Sequence, residues 1–69
     1  MKTITIKDEF IKLGQALKLA DLVSDGVRAK YVILDEEVKV NGQICTQRGK
    51  KLYPGDEFTF EGITVKIEK

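Results

Sequence analysis

The sequence predicts an α+β fold in which two short helices pack on a small, mostly antiparallel sheet entered by an N-terminal strand. Three observations predict it. Thr3-Ile4-Thr5-Ile6 and, at the other end, Ile63 to Glu68 alternate apolar and polar residues with the two-residue period of a half-buried strand. Between them, Phe10, Leu13, Leu17 and Ala20 recur at the spacing of one helical face. An Asn41-Gly42 pair follows Val38-Lys39-Val40, and both residues tolerate the positive φ angles that a primed hairpin turn demands.

Each element follows in order. Thr3 to Ile6 forms the first strand, with Ile4 and Ile6 turned inward. A first helix is expected from about Glu9 to Ala20, with Asp8 placed to cap it and Glu9 favourable at its positive end. Lys12, Gln15 and Lys18 fall largely off its apolar stripe. Ser24-Asp25-Gly26 marks a break, and either Ser24 or Asp25 caps a second helix running to about Leu34. Ala29, Val32 and Ile33 form its core side, with Arg28 and Lys30 near its start. Asp35-Glu36-Glu37 reads as a solvated turn before a hairpin over residues 37–46. With a two-residue loop, Val40 faces Gln43 and Lys39 shares a face with Ile44. A bulged three-residue loop sets Val40 opposite Ile44 instead, and the apolar pattern favours this second register. Pro54-Gly55 suits the centre of a type II turn. Phe58 and Phe60 then alternate with Thr59 and Glu61 and fill the core, and Glu61-Gly62 breaks the chain before the last strand.

The chain has 69 residues, 42% hydrophobic and 33% charged, so a single domain over residues 1–69 with a thin core is expected. A chain this short buries about 60% of the surface its unfolded form exposes, which leaves little room for an enclosed substrate cavity. No histidine occurs, and Cys45 is the single cysteine. Zinc ligand sets and Ser-His or Cys-His nucleophiles therefore cannot be assembled, and no catalytic residue, metal or cofactor is expected. Cys45 reads as a small packing residue. No apolar run suits a signal peptide or membrane span, so a complete cytoplasmic protein is expected.

Net charge is only +1, yet its distribution is uneven. Residues 1–34 sum to +2, 35–37 to −3, 38–53 to +4 and 54–69 to −2. The segment holding Lys39, Arg48, Lys50 and Lys51 carries no carboxylate. Two readings fit it: a phosphate-binding surface, or a loop kept soluble by lysines.

Two helices, then Val38-Lys39-Val40-Asn41-Gly42, then Gly55-Asp56, resemble the S4 RNA-binding domain over about Phe10 to Phe60. Lys12-Leu13-Gly14 with Leu17 is similar to the Arg-Leu-Asp opening of that family's first helix, but the acidic member is missing. Ser24 and Ala29 match the second helix, whereas Asp25-Gly26 intervene where Ser-Arg is usual and Arg28 is the nearest arginine. Glu36 stands where a glycine is common. The whole chain is similar to short stand-alone bacterial S4-like proteins. That resemblance implies binding to structured RNA, ribosomal RNA during assembly; a non-catalytic protein, a monomer with ribosomal or assembly proteins as further partners, is the accompanying expectation. Lys12, Lys18, Arg28 and Lys30 on the helices, with Lys39, Arg48, Lys50 and Lys51 from the hairpin and following loop, are the implied RNA-binding residues. Asn41 and Gly42 make the turn. Tyr31 and Tyr53 are placed either to touch a base or to pack at the core rim.

Two rivals come from other classes. Small β-grasp sulfur carriers share a Val-Asn-Gly hairpin and a late Gly-Asp turn, but their chemistry needs a C-terminal Gly-Gly and this chain ends Ile67-Glu68-Lys69. A protein-interaction module docking onto a larger assembly fits the near-neutral charge.

Overall fold

The computed structural model describes residues 1–69. In chain order it contains β1 (Lys2–Thr5), β2 (Ile11–Lys12), α1 (Leu13–Leu19), α2 (Gly26–Leu34), β3 (Val38–Val40), β4 (Gln43–Ile44), β5 (Lys51–Leu52), β6 (Glu57–Phe60) and β7 (Ile63–Glu68). Five strands form one sheet in the order β1-β7-β6-β3-β4, with β1 parallel to β7 and the other neighbours antiparallel. The remaining pair, β2 and β5, makes a separate antiparallel ladder.

Alternation decides which side of the sheet is wet. The register sets Val38 opposite Phe60, Val40 opposite Phe58 and Phe58 opposite Val65, so these residues share one face with Ile4 and Ile67. Both helices cover that face. Leu13, Ala16, Leu17 and Ala20 of the first helical segment, with Ala29, Val32 and Ile33 of α2, join the strand residues in one buried cluster. Ile63 lies on the same side but remains exposed at the sheet's end. The opposite face carries Thr3, Lys39, Thr59, Thr64 and Lys66, a polar surface without a covering layer.

Turn chemistry fixes the connections. Asn41 has φ 50° and Gly42 φ 86°, and Glu61 with Gly62 repeats the pattern at 52° and 79°. Both are two-residue hairpins whose positive φ pairs match the twist of the flanking strands. The first corrects the expected bulged register: Val40 pairs with Gln43, and Lys39 with Ile44. The apolar pattern misled because Ile44 is left exposed on the sheet's outer face. The tip is held from the side, since Asn41 N–H donates to the Glu57 carbonyl at 2.8 Å and Glu57 N–H donates to Asn41 Oδ1 at 3.0 Å. Asn41 Nδ2 also donates to Asp56 Oδ1 at 3.2 Å, and Asp56 Oδ2 accepts from Tyr53 N–H at 2.7 Å. Asn41 and Asp56 thus tie the hairpin tip to the Pro54-Gly55 turn.

The first helix begins later than its periodicity implies. Helix α1 starts at Leu13, with Lys12 at its N-cap and no side-chain cap, so neither Asp8 nor Glu9 serves it. Residues Ile11 and Lys12 are drawn into the ladder with Leu52 and Lys51, and Phe10 lies half-buried outside the helix. Asp25 does cap α2, its Oδ1 accepting from Arg28 N–H at 2.8 Å. Both helices end on a left-handed residue, Asp21 at φ 61° and Glu36 at φ 62°. At each end two backbone bonds close the turn: Asp21 to Lys18 and Leu22 to Leu17, then Glu36 to Ile33 and Glu37 to Val32. This is the Schellman arrangement, which explains why glycine suits the position of Glu36.

Candidate nucleic-acid interface

A helix leaves its first N–H groups without intrahelical partners. At α1 the basic loop supplies them: Leu13 N–H donates to the Lys50 carbonyl at 2.9 Å and Gly14 N–H to the Arg48 carbonyl at 3.1 Å. Lys50 N–H in turn donates to the Gln47 carbonyl at 3.1 Å, closing a turn over residues 47–50. The loop is therefore seated against the helix by its backbone, and its side chains are left for other work. Because loop carbonyls occupy the positive end of α1, any anion here would be held by side-chain cations.

Gly14 lets this happen. A Cβ added there would lie 2.7 Å from Arg48 Cγ, so the arginine stem crosses the helix where any side chain would stand. Gly14 belongs to the Lys12-Leu13-Gly14 stretch in which the acidic residue was missing from the resemblance. Its lack of a side chain is the seat of Arg48.

Lys12, Lys18 and Arg48 meet around one open concavity of about 330 Å³, together with Gly14, Gln15, Gly26, Ala29 and Gly49. Three cations and no carboxylate line it. Gly26 and Gly49 have nothing within 4 Å of where a Cβ would be, which keeps the mouth wide. These two lining positions were not singled out from sequence; the signal available was a glycine beside each basic cluster, at the start of α2 and beside Arg48.

The other expected cations are distributed more widely. Lys51 stands directly opposite Lys12 across the β2–β5 ladder, extending the basic surface. Lys50 lines a neighbouring concavity with the hairpin residues Val40 and Asn41 and with Cys45 and Gln47. Lys30 follows Ala29 by one residue and Gly26 by about one turn, on the flank of α2 next to the main concavity. Arg28 lies on the other flank of that helix by the same periodicity. Lys39 projects from the outer face of the sheet opposite Thr59, away from the helices. The structure thus gathers Lys12, Lys18 and Arg48, places Lys30, Lys50 and Lys51 around them, and turns Arg28 and Lys39 elsewhere.

Comparison with known proteins matches residues 4–68 to the S4 domain family. Over 60 residues the chain is 48% identical to a Bacillus subtilis protein named "Probable ribosome maturation protein RlbA", covering 87% of this chain and 84% of that one. Over 61 residues it is 31% identical to the Escherichia coli "Putative RNA-binding protein YbcJ", covering 88% and 87% of the two chains.

Proposed function

The chain belongs to the S4 domain family, and from that premise we propose that residues 1–69 act as one cytoplasmic, non-catalytic domain that binds structured RNA, specifically ribosomal RNA during ribosome assembly. The observation that carries this reading is the convergence of Lys12, Lys18 and Arg48 on a carboxylate-free concavity held by backbone bonds. Cations carried on a backbone-bonded frame suit phosphate contacts, which orient a protein on its target, while folded RNA is read largely through its shape. Lys30, Lys50 and Lys51 extend the contact around the concavity. Arg28 and Lys39 contribute at the periphery, reached only by RNA that runs past the edges of that face. The names of the two relatives support RNA and ribosome maturation as the setting.

Binding of the purified protein to ribosomal RNA and to matched duplex DNA across a salt series tests this. Each phosphate contact contributes about −0.7 to −0.9 to the slope of log affinity against log salt. Salt-sensitive preference for RNA, lost in Lys50→Glu/Lys51→Glu while the fold is retained, is the expected result. Absence of RNA binding at low salt by folded protein would defeat the proposal.

One observation favours a second reading, docking onto a protein of the assembly. Val27, Tyr31 and Leu34 recur at helical spacing along α2 and are 63%, 59% and 53% exposed. Under that reading Tyr31→Glu abolishes binding to the particle and Lys50→Glu/Lys51→Glu does not. No helix of the chain is long and apolar enough to cross a membrane.

A further inference from the structure

The β2–β5 ladder has only two paired positions on each strand, Ile11 with Leu52 and Lys12 with Lys51. Its register, continued by one residue, brings Phe10 across from Tyr53. The rings are in contact, their centroids 5.9 Å apart and their planes inclined by 52°. Leu52 is fully buried and Lys51 and Tyr53 are exposed, so strand alternation sends Leu52 inward and the lysine and tyrosine outward. Phe10 and Lys12, two residues apart on the partner strand, face the same way. Two aromatic rings and two ammonium groups therefore form a four-residue tile on one surface.

The tile is costly for folding alone. Like charges directly opposite one another on paired strands are destabilising, and Lys12 and Lys51 occupy such positions. Lys51 Nζ rests over the Phe10 ring, 4.8 Å from its centroid, which supplies part of the compensation. Tyr53 keeps 48% of its surface in solvent, although its backbone N–H is fixed by the Asp56 carboxylate at 2.7 Å. An exposed ring on a fixed backbone, beside unneutralised lysines, is what an unstacked base and its flanking phosphates require.

From this geometry we infer that Tyr53, backed by Phe10 and flanked by Lys12 and Lys51, is a stacking site for a single unpaired nucleotide of the bound RNA. Lys12 belongs both to the tile and to the main concavity, so the two are continuous. The inference rests on the RNA-binding reading and deepens it: the target is a helix interrupted by a bulged or looped-out base rather than an unbroken duplex. Phosphates of the paired stem lie against Lys12, Lys18 and Arg48, and the extruded base lies on Tyr53.

The chain contains no tryptophan, so Tyr53→Trp introduces a single fluorescent reporter at the tile. Its probes are a short RNA hairpin with one bulged nucleotide and the same hairpin fully paired. The bulged hairpin is expected to quench the indole emission and to bind the unmodified protein about 10-fold more tightly than the paired one, in line with stacking of one base. Tyr53→Ala should remove that preference while leaving affinity for the paired hairpin, and Tyr53→Phe should restore it. Equal affinity for the two hairpins, with the indole unquenched, overturns the stacking site and leaves RNA binding standing. Failure of both hairpins and of ribosomal RNA to bind at low salt overturns both.

Discussion

In β3, β6 and β7 the inward positions Val38, Val40, Phe58, Phe60, Val65 and Ile67 are apolar and almost wholly buried, whereas the β2–β5 ladder sets Lys12 directly opposite Lys51. The large sheet is held by what its side chains remove from water. The ladder turns Leu52 into the same core with Ile11 packed against it, and backbone bonds from Leu13 and Gly14 to the carbonyls of Lys50 and Arg48 seat the loop beside it. One region commits its inward side chains to the core, and the other keeps Lys12, Lys51 and Tyr53 on an outward face in solvent. A short strand does both because alternation sends Leu52 to the core and its neighbours Lys51 and Tyr53 to solvent.

The comparison breaks most visibly at Phe58. Replacing it with alanine removes a fully buried ring at the centre of the sheet and should cost about 3–5 kcal/mol, a large share of the margin expected for a domain this small. Thermal or urea unfolding followed by circular dichroism should show the folded fraction collapse, while Lys51→Ala on the ladder melts within a few degrees of the parent. A Phe58→Ala protein as stable as the parent would contradict the division of labour.

Asn41 tests the link between the regions. Asn41→Ala removes the donor to Asp56 and the acceptor of Glu57 N–H and forces a left-handed residue without its side-chain support, for a loss of about 2 kcal/mol. Asn41→Gly should recover the backbone share of that loss but not the hydrogen bonds, so denaturant midpoints should rank parent, glycine, alanine.

Gly14→Ala sharpens the contrast, because stability and binding should part company. The gain for alanine at the second residue of α1 is smaller than the ~1 kcal/mol of a helix interior, and the new methyl meets the stem of Arg48 rather than its flexible end, so the unfolding midpoint should fall slightly. The displaced Arg48 should lower RNA affinity several-fold in a filter or anisotropy titration. Unaltered affinity would show that the seat of Arg48 is irrelevant to binding. The smallest effect is expected at Glu36→Gly, which relieves a left-handed glutamate at the Schellman end of α2 and should raise stability by about 0.5–1 kcal/mol in chemical unfolding.

The same division explains what could be read from the residues. Strand alternation at Ile4, Phe58, Phe60, Val65 and Ile67, and the core faces of both helices, are burial patterns, and burial leaves its period in the sequence. Asp25 was one of two candidate caps, and the structure selects it. Periodicity predicts too early a start for α1 because Phe10 continues the helical spacing of Leu13 and Leu17 while Ile11 and Lys12 are drawn into a strand pair. Nothing in a two-residue ladder repeats often enough to announce itself. The hairpin register failed for a related reason: Ile44 was assigned a burial partner, but the turn is set by the positive φ of Asn41 and Gly42 and by the bonds to Glu57. For the candidate site, the run of cations at Arg48, Lys50 and Lys51 is legible in the sequence, whereas the structure divides them between the main concavity, its neighbour and the ladder. The separation of Lys39 from Lys12 depends on which face of the sheet each strand presents, which one local pattern does not reveal.

The most direct test compares two charge reversals of equal size, Lys12→Glu/Arg48→Glu in the concavity and Arg28→Glu/Lys39→Glu on the other faces, in RNA binding over a salt series. The concavity variant should lose most of its affinity, with a salt slope shallower by about 1.5, as expected for two lost phosphate contacts. The peripheral variant should retain most of both. Equal losses in the two variants, with both proteins folded, would mean that net charge rather than this surface drives binding, and would contradict the account.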